Sequence, residues 1–420
     1  MPPISAISVE GYRCFADHTT LELTPLTLLY GGNNSGKSSL LRLIPMLADS
    51  VSQSASVPLE TRRVFDEQAT LADIIWRNAE ISELTVDLEF PPDDSLSIKT
   101  ASLTMAFDKV ARQALVRRVE LTDFHGKTIL KALHRPASST QPWTPVQTYE
   151  VVARLSQKKP NIESVEFRGL LPTHMGTKKT PWSYLHEQLL RLDGSVLWLR
   201  SVRGPLERYS KEQGAPPLLL ESTGQGTSQV LRYRSDIAEA VSGWYEKHFT
   251  RRLEVRHAHE NHFRLVLSPT KQASLGIDLV DCGHGLQQVL PVLVAMEMAR
   301  RRESKGPQIL AIEEPEANLH DDAQRWLAEH ICQLTSEENP PTVVLETHSQ
   351  VFMLAVQLAV AQGKLPKECV RIYWVSTDQQ GRGHADKITL NARGEPEGRW
   401  PINGFADKGQ LARELLRKQL

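Results

Sequence analysis

The feature that most constrains the fold is a glycine-rich segment near the amino terminus. It follows the apolar run Thr20–Tyr30 and precedes a helix-like run, Lys37–Ala48. The segment reads Gly31-Gly32-Asn33-Asn34-Ser35-Gly36-Lys37-Ser38, continues with Ser39, and matches the pattern G-x-x-x-x-G-K-S. A strand, a loop of this pattern and a helix together form a phosphate-binding loop. The spacing therefore predicts an α/β fold that binds a nucleotide at the end of its first parallel strand.

The residue types in this loop suit phosphate chemistry. Glycines let the backbone turn its N–H groups inward around the phosphates. Lys37 supplies a positive charge to the β and γ oxygens, and the hydroxyl of Ser38 is able to bind Mg²⁺. The loop therefore predicts a nucleotide and Mg²⁺ as cofactors.

Two later apolar strands end in polar side chains. Ile309–Glu313 is followed by Glu314, and Thr342–Glu346 is followed closely by His348. The carboxyl ends of parallel strands open at the same edge of a sheet as the phosphate-binding loop. We therefore predict that Glu313 reaches the metal, that Glu314 orients or deprotonates the attacking water, and that His348 contacts the γ-phosphate or positions that water.

A fourth motif is the turn Gly283-His284-Gly285, which opens a helix-like run. Backbone N–H groups at a helix start favour an anion, so Gly283 and Gly285 are candidates for phosphate contact. A tight turn without a ligand is the alternative interpretation.

In this order, the four motifs resemble the ABC-type ATPase heads of the SMC, RecF and OLD group. The resemblance is closest to prokaryotic AAA15-type ATPases whose C-terminal part is catalogued as DUF3696. Ser8–Phe15 looks like the family's strand before the loop, and Gly283–Gly285 occupies the place of the ABC signature. Glu313–His320 resembles the Walker B and D-loop run, His348 the switch histidine, and Trp400–Asp407 the family's tail.

The resemblance implies an ABC-type P-loop ATPase head of the α/β class. Such a head has a mostly parallel sheet with flanking helices and an antiparallel β subdomain. We expect residues 1–95 and 196–375 to form the head, residues 96–195 a basic β-rich insertion, and residues 376–420 a C-terminal segment. Long coiled-coil arms are not expected, because the region between Lys37 and Glu313 lacks sustained heptads.

The resemblance also implies an ATP-dependent switch. Two heads would close around two ATP molecules with Mg²⁺, each site pairing the phosphate-binding loop of one chain with the signature turn of the other. The expected partners are thus a second copy, as a homodimer or higher homo-oligomer, and an effector protein or DNA, in bacterial genome maintenance or anti-phage defence.

The chain departs from the family pattern at two positions. Gly283 stands where many ABC proteins have the signature serine, and Glu313 stands where Walker B has Asp. Both departures predict slow ATP hydrolysis. A metal-sensing glutamine is also expected, and Gln53 and Gln68 both remain candidates.

Two other activities fit the sequence less well. An OLD-type nuclease needs a metal-binding cutting domain, but the roughly 45 residues after Val375 lack the acidic constellation that holds two metals. A P-loop small-molecule kinase would leave the turn at Gly283, the paired carboxylates and His348 without roles.

The charge is unevenly distributed along the chain. The protein has 49 Lys and Arg against 50 Asp and Glu, but residues 101–200 hold fifteen basic and eight acidic side chains. This basic middle, with Lys158-Lys159 and Lys178-Lys179, makes DNA or an acidic partner possible; a solvated charged face is the alternative.

The expected location is the cytoplasm. The cysteines, Cys14, Cys282, Cys332 and Cys369, are too widely spaced for a disulfide framework or a zinc site, and are expected to be reduced. No secretion leader or membrane-spanning run is evident, so no membrane partner is expected.

Overall fold

A computed structural model describes residues 2–76, 83–92, 98–108, 113–135, 146–153, 160–173, 180–271, 273–302 and 306–398. The strands are β1 (Ala6–Glu10), β2 (Thr19–Glu22), β3 (Leu26–Gly31), β4 (Glu83–Glu89), β5 (Thr100–Asp108), β6 (Gln113–Thr122), β7 (Thr128–His134), β8 (Val146–Ala153), β9 (Asn161–Arg168), β10 (Leu171–Pro172), β11 (Val196–Leu199), β12 (Ser210–Lys211), β13 (Arg251–His257), β14 (His262–Pro269), β15 (Ile277–Asp278), β16 (Ile309–Glu313), β17 (Thr342–Thr347), β18 (Val370–Thr377), β19 (Gly383–Leu390) and β20 (Pro396–Glu397). The α-helices are α1 (Lys37–Ser50), α2 (Leu71–Ile74), α3 (Pro181–Leu190), α4 (Thr227–Tyr233), α5 (Ser235–Phe249), α6 (His284–Arg300), α7 (Asp321–Thr335) and α8 (Gln350–Ala361). Short 3₁₀ helices cover Ala273–Leu275, Leu279–Asp281 and Lys367–Cys369.

The main sheet has seven strands in the order β11-β16-β17-β3-β18-β19-β20. Its first five strands are parallel, and β19 and β20 are antiparallel to their neighbours. Every residue of β3, β16 and β17 is buried, as expected for central parallel strands covered on both faces. The prediction of a largely parallel sheet with flanking helices is confirmed.

The order of the central strands brings three motifs together. Strand β17 lies between β16 and β3, and Glu346 on β17 is in register with Glu313 on β16. On its other side, Thr347 is in register with Tyr30, immediately before the glycine-rich loop. The carboxyl ends of these strands therefore share one edge of the main sheet.

A second sheet has nine strands in the order β10-β9-β8-β7-β6-β5-β4-β1-β2, and all of its pairs are antiparallel. The region predicted as a β-rich insertion, residues 96–195, supplies β5 to β10. The boundary predicted at residue 95 lies between β4 and β5, which pair along their lengths. The segment therefore extends the antiparallel sheet of the head, because its first strand continues the pairing begun by β4.

Two other elements differ from the sequence prediction. The helix-like spacing of apolar residues over Ser228–Phe249 predicts one helix. The structure divides it at Arg234, whose backbone (φ −116°, ψ 83°) is not helical and whose guanidinium binds Asp236 in the first turn of α5. The C-terminal segment expected from residue 376 begins inside β18, and β19 pairs with β18 in the main sheet. The tail-like sequence Trp400–Asp407 lies outside the described residues.

The four cysteines are unpaired, which agrees with the sequence prediction. Among the residues that the structure describes, no helix combines the length and apolar character needed to cross a bilayer.

Candidate nucleotide-binding site

The glycine-rich loop connects β3 to α1, and at two of its positions the structure leaves no room for a side chain. Gly36 has a left-handed backbone (φ 102°), and a Cβ there would lie 2.6 Å from Cys14 Sγ and 2.9 Å from the Phe15 ring. At Gly31, a Cβ would lie 2.1 Å from the carbonyl oxygen of Val375 on the neighbouring strand. The glycines are therefore required by close packing as well as by the turn.

Lys37 and Ser38 begin α1 and face into this loop. The Lys37 ammonium is buried and donates to the carbonyl oxygen of Gly32 at 2.7 Å. It also lies 3.9 Å from Glu346 Oε1. The Ser38 hydroxyl donates to the same Glu346 oxygen at 2.8 Å. Burial lowers the pKa of Lys37, and the Glu346 carboxylate opposes that shift.

A pocket of about 430 Å³ opens at this loop. It is lined by Arg13, Asn33, Asn34, Ser35, Gly36, Lys37, Ser38, Ser39, Arg42, Phe65, Glu314, Glu346 and His348. The structure thus places Glu314 and His348, predicted from separate strands, beside the predicted phosphate-binding residues. Neither Gln53 nor Gln68 is among the lining residues, so the choice between them stays open.

Three of these side chains form a compact cluster. One ligand atom from each of Glu314, Glu346 and His348 lies within 4.8 Å of those of the other two. Burial raises the pKa of Glu346 to about 6, and repulsion from Glu313 and Glu314 adds to the rise. Burial, and then the Lys37 charge, lowers the pKa of His348, whereas the Glu314 carboxylate opposes that shift.

Glu313 occupies a different environment from the one expected. Its carboxylate is 1% exposed and accepts two hydrogen bonds from Arg42, from Nε at 2.6 Å and from Nη2 at 2.8 Å. Trp198 Nε1 donates to it at 3.1 Å and the Ser201 amide at 3.4 Å. Ser38 and Glu313 were predicted to hold the metal together, but the Ser38 hydroxyl bonds to Glu346.

The backbone around the cluster is fixed by buried charged groups. Glu316 accepts hydrogen bonds from the Thr347 hydroxyl at 2.6 Å and from the His348 amide at 3.0 Å. Arg203 donates to the carbonyl oxygens of Glu313 at 2.8 Å and Glu314 at 3.0 Å. These contacts position the ends of β16 and β17 relative to each other.

The turn at Gly283 lies apart from the pocket lining. Gly283 is the N-cap of α6, and Gly285 packs so closely on the run after β16 that a Cβ would lie 2.5 Å from the Asn318 carbonyl oxygen. Neither glycine is among the residues that line the pocket. In a single chain, therefore, the turn does not contribute to the wall around the glycine-rich loop.

Sequence reasoning did not single out Glu346, Arg42, Arg203, Arg13 or Phe65. One signal was present for Glu346, because it is a charged residue at the end of an otherwise apolar strand, Val343-Val344-Leu345. Arg42 follows Ser38 by one helical turn, but its partner Glu313 is 271 positions away. No local pattern identifies such a pair.

The parallel sheet, the glycine-rich loop and the carboxylate and histidine at the strand ends define a P-loop ATPase of the SMC, RecF and OLD type. The chain belongs to the AAA_15 family, described as an AAA ATPase domain, which matches residues 3–168 and 232–353, more than half of its length. It is therefore an ATP-hydrolysing enzyme.

The chain is also similar to an OLD nuclease from Thermus scotoductus, with 23% identity over 358 residues. The match covers 83% of this chain, which spans 59% of the length of that relative.

Solved structures of SMC heads show a more distant likeness. One, bound to the C-winged helix domain of ScpA, is 12% identical with a TM-score of 0.49, covering 93% of this chain and 99% of the other. The SMC head from Thermotoga maritima is 11% identical with a TM-score of 0.45, covering 93% and 100%. That from Pyrococcus furiosus is 11% identical with a TM-score of 0.47, covering 99% and 100%. Similarity at this level carries no functional inference.

Proposed function

We propose that the protein is an ATP- and Mg²⁺-dependent switch whose heads pair around the nucleotide and control a partner. The observation that carries the proposal is that Lys37, Ser38, Glu314 and His348 all line the same pocket. Family membership supports ATP hydrolysis. The pairing of heads and the partner are inferences from the site and the resemblance.

The pocket offers a surface for each part of the nucleotide. The loop amides and Lys37 would hold the β and γ phosphates, and Ser38 would hold Mg²⁺, which neutralises charge on those oxygens. At the same pocket, the Arg13 guanidinium lies over the Phe65 ring, 4.7 Å from its centre. This cationic and aromatic surface suits stacking with the adenine base.

Glu314 and His348 have separate roles in the proposed reaction. Glu314 would orient the attacking water and accept its proton. His348 would contact the γ-phosphate through a ring N–H, and Glu316 keeps its backbone in place. Gly283 lacks a hydroxyl for phosphate contact, so turnover is expected to be slow.

The proposed dimer follows from the position of the signature turn. Gly283 and Gly285 do not line the pocket of their own chain. We infer that they complete the site of a second copy, which makes a homodimer or a higher homo-oligomer the active assembly. ATP binding would close this assembly and hydrolysis would open it.

The experiment that tests the switch uses the purified parent protein. ATP affinity, phosphate release and mass in solution are measured with ATP and Mg²⁺, with ADP and without nucleotide. We expect slow phosphate release and a rise in mass, or tightening of an existing assembly, with ATP only. Failure of the protein to bind ATP would contradict the proposed function. ATP binding that changes neither the mass in solution nor the stability of an existing assembly would contradict only the pairing of heads.

The proposed setting is bacterial genome maintenance or anti-phage defence in the cytoplasm, with a separate effector protein. Similarity to an OLD nuclease supports that setting, and the unpaired cysteines are consistent with a reducing compartment. The same similarity makes nuclease activity a second candidate. Cleavage of supercoiled plasmid with Mg²⁺ or Mn²⁺ tests it, and cleavage by the purified parent would favour the nuclease.

We expect His348→Ala to lower turnover by about 100-fold while ATP affinity changes little, because contact with the γ-phosphate matters most when charge develops in the transition state. Phosphate release and ATP affinity are measured together. His125→Ala, in an exposed turn, is the matched control. Equal loss of binding and turnover would indicate misfolding instead of a catalytic role.

DNA is the partner considered for the basic middle of the chain, residues 101–200. Among its described basic residues, Arg117 pairs with Glu83, Lys131 with Glu120 at 3.2 Å, and Arg135 with Glu150 at 3.8 Å. These pairs agree with a solvated face. The lysine pairs at 158–159 and 178–179 lie outside the described residues.

Changing these four lysines to Glu is expected to weaken DNA binding and to reduce its salt dependence, because each neutralised phosphate contributes about 0.9 to the log–log slope. Fluorescence anisotropy over a salt series measures both. Unchanged binding to DNA would assign these lysines to the solvated face.

A further inference from the structure

Glu313 and Glu346 lie side by side near the carboxyl ends of β16 and β17, and their carboxylates accept hydrogen bonds from different side chains. Both oxygens of Glu313 accept hydrogen bonds from Arg42. Glu346 Oε1 accepts from the Ser38 hydroxyl, whereas its Oε2 is buried and has no hydrogen-bond partner among the described residues. Glu346 is only 4% exposed, so water has little access to that oxygen.

A buried carboxylate oxygen without a donor is unfavourable, and neighbouring negative charge makes it more so. One ligand atom of Glu314 lies within 4.8 Å of one of Glu346, and the Lys37 ammonium is 3.9 Å from Oε1. A cation at Oε2 would replace the missing donor and offset the repulsion. The surroundings of Glu346 therefore fit a divalent ion.

The available ligand atoms suit Mg²⁺. Glu346 accepts a hydrogen bond from the Ser38 hydroxyl. One ligand atom each of Glu314 and His348 lies within 4.8 Å of a ligand atom of Glu346. Mg²⁺ prefers hard oxygen ligands and keeps several waters, so one carboxylate, one hydroxyl and the phosphates of the nucleotide are sufficient. This set needs no contribution from Glu313.

Glu313 is already neutralised by a guanidinium. Arg42 binds it through two hydrogen bonds, and Trp198 adds a third. A metal at Glu313 would have to displace a buried, bidentate ion pair. Ser38 and Arg42 lie one turn apart on α1, so the helix presents the hydroxyl to β17 and the guanidinium to β16.

We propose that Glu346 on β17, and not the Walker B-like Glu313 on β16, is the carboxylate that holds Mg²⁺ beside Ser38. Arg42 binds Glu313 as a structural ion pair between α1 and β16. This assignment rests on the proposed function, since the ion is the one that accompanies ATP.

The test measures ATP affinity of each variant in Mg²⁺ and in EDTA by calorimetry. Glu346→Gln is expected to reduce the Mg²⁺-dependent gain in affinity at least about tenfold and to change metal-free affinity little, because the amide keeps the shape but loses the charge. Glu313→Gln is expected to keep the Mg²⁺-dependent gain and to lower the melting temperature, because it breaks the pair with Arg42.

A second measurement does not depend on affinity. Mn²⁺ replaces Mg²⁺, and electron paramagnetic resonance reports its coordination in the ATP complex. The Mn²⁺ spectrum is expected to change in Glu346→Gln and in the more conservative Glu346→Asp, which retains the charge if the amide variant fails to fold. It is expected to stay as in the parent in Glu313→Gln.

The outcomes separate this assignment from the proposed function. A full Mg²⁺-dependent gain and an unchanged Mn²⁺ spectrum in both Glu346 variants would overturn the assignment while ATP binding by the parent stands. Loss of the metal effect in folded Glu313→Gln alone would return the metal to Glu313. Failure of the parent itself to bind ATP would overturn the proposed function and this assignment with it.

Discussion

Lys37→Ala is expected to lower ATP affinity by at least about 100-fold, the largest effect on binding of any single change in the pocket. The Lys37 ammonium is buried against the glycine-rich loop. The other cations in the pocket lining are Arg13, over the Phe65 ring, and Arg42, bound to Glu313. No described neighbour is therefore placed to replace the lost charge at the phosphates. Calorimetry with ATP and Mg²⁺ measures the loss.

Two controls accompany this variant. Lys127→Ala removes a lysine from an exposed turn and is expected to bind ATP as the parent does. Circular dichroism and melting temperature show whether Lys37→Ala is folded. Undiminished affinity in the folded variant would reject the phosphate-binding loop as the nucleotide site.

Glu314→Gln is expected to reduce ATP hydrolysis by at least about 100-fold while ATP binding survives, because the amide keeps size and hydrogen bonding but is not a base. The ATP-bound, closed form of the protein should then accumulate. Because each site is proposed to use two chains, that state should appear as an ATP- and Mg²⁺-dependent dimer, or as tightening of a larger assembly. Lys37→Ala should not show it.

The measurement is turnover together with mass in solution, with and without ATP. Glu338→Gln, in the exposed loop before β17, makes the same chemical change away from the pocket and should behave as the parent. Hydrolysis at the parental rate in Glu314→Gln would place the base elsewhere. Loss of turnover without any ATP-dependent change in assembly would leave Glu314 as the base and contradict the dimer.

Local sequence was sufficient for the loop and for the strands that surround it. Gly31–Ser38 is contiguous, and the apolar runs before Glu314 and His348 are typical of buried parallel strands. The motifs therefore predicted the parallel sheet and the edge at which their side chains meet. A different pattern, short β-like runs such as Leu84–Phe90 and Ser102–Phe107 separated by turn residues, predicted the β character of the middle region.

Which strands share a sheet was decided by tertiary pairing. The middle strands continue from β4, and β19 joins the main sheet beside β18. The boundary expected at residue 95 came from the extent of the resemblance to ATPase heads, and that at residue 375 from the end of the last predicted strand. Backbone hydrogen bonds between β4 and β5 and between β18 and β19 carry the sheets across both positions.

The sequence by itself determined that phosphate-binding and acidic side chains converge on one edge, because the loop is contiguous and the carboxyl ends of parallel strands open at the same edge of a sheet. Only the tertiary structure decided which of the two carboxylates, Glu313 or Glu346, bonds to Arg42 and which to Ser38. Glu313 and Glu346 occupy equivalent strand-end positions in register with each other. Helix α1 packs across both strands and presents Arg42 to Glu313 and Ser38 to Glu346. These pairings depend on how α1 packs on β16 and β17, which lie about 300 positions later in the chain. The spacing of nearby residues contains no information about such packing.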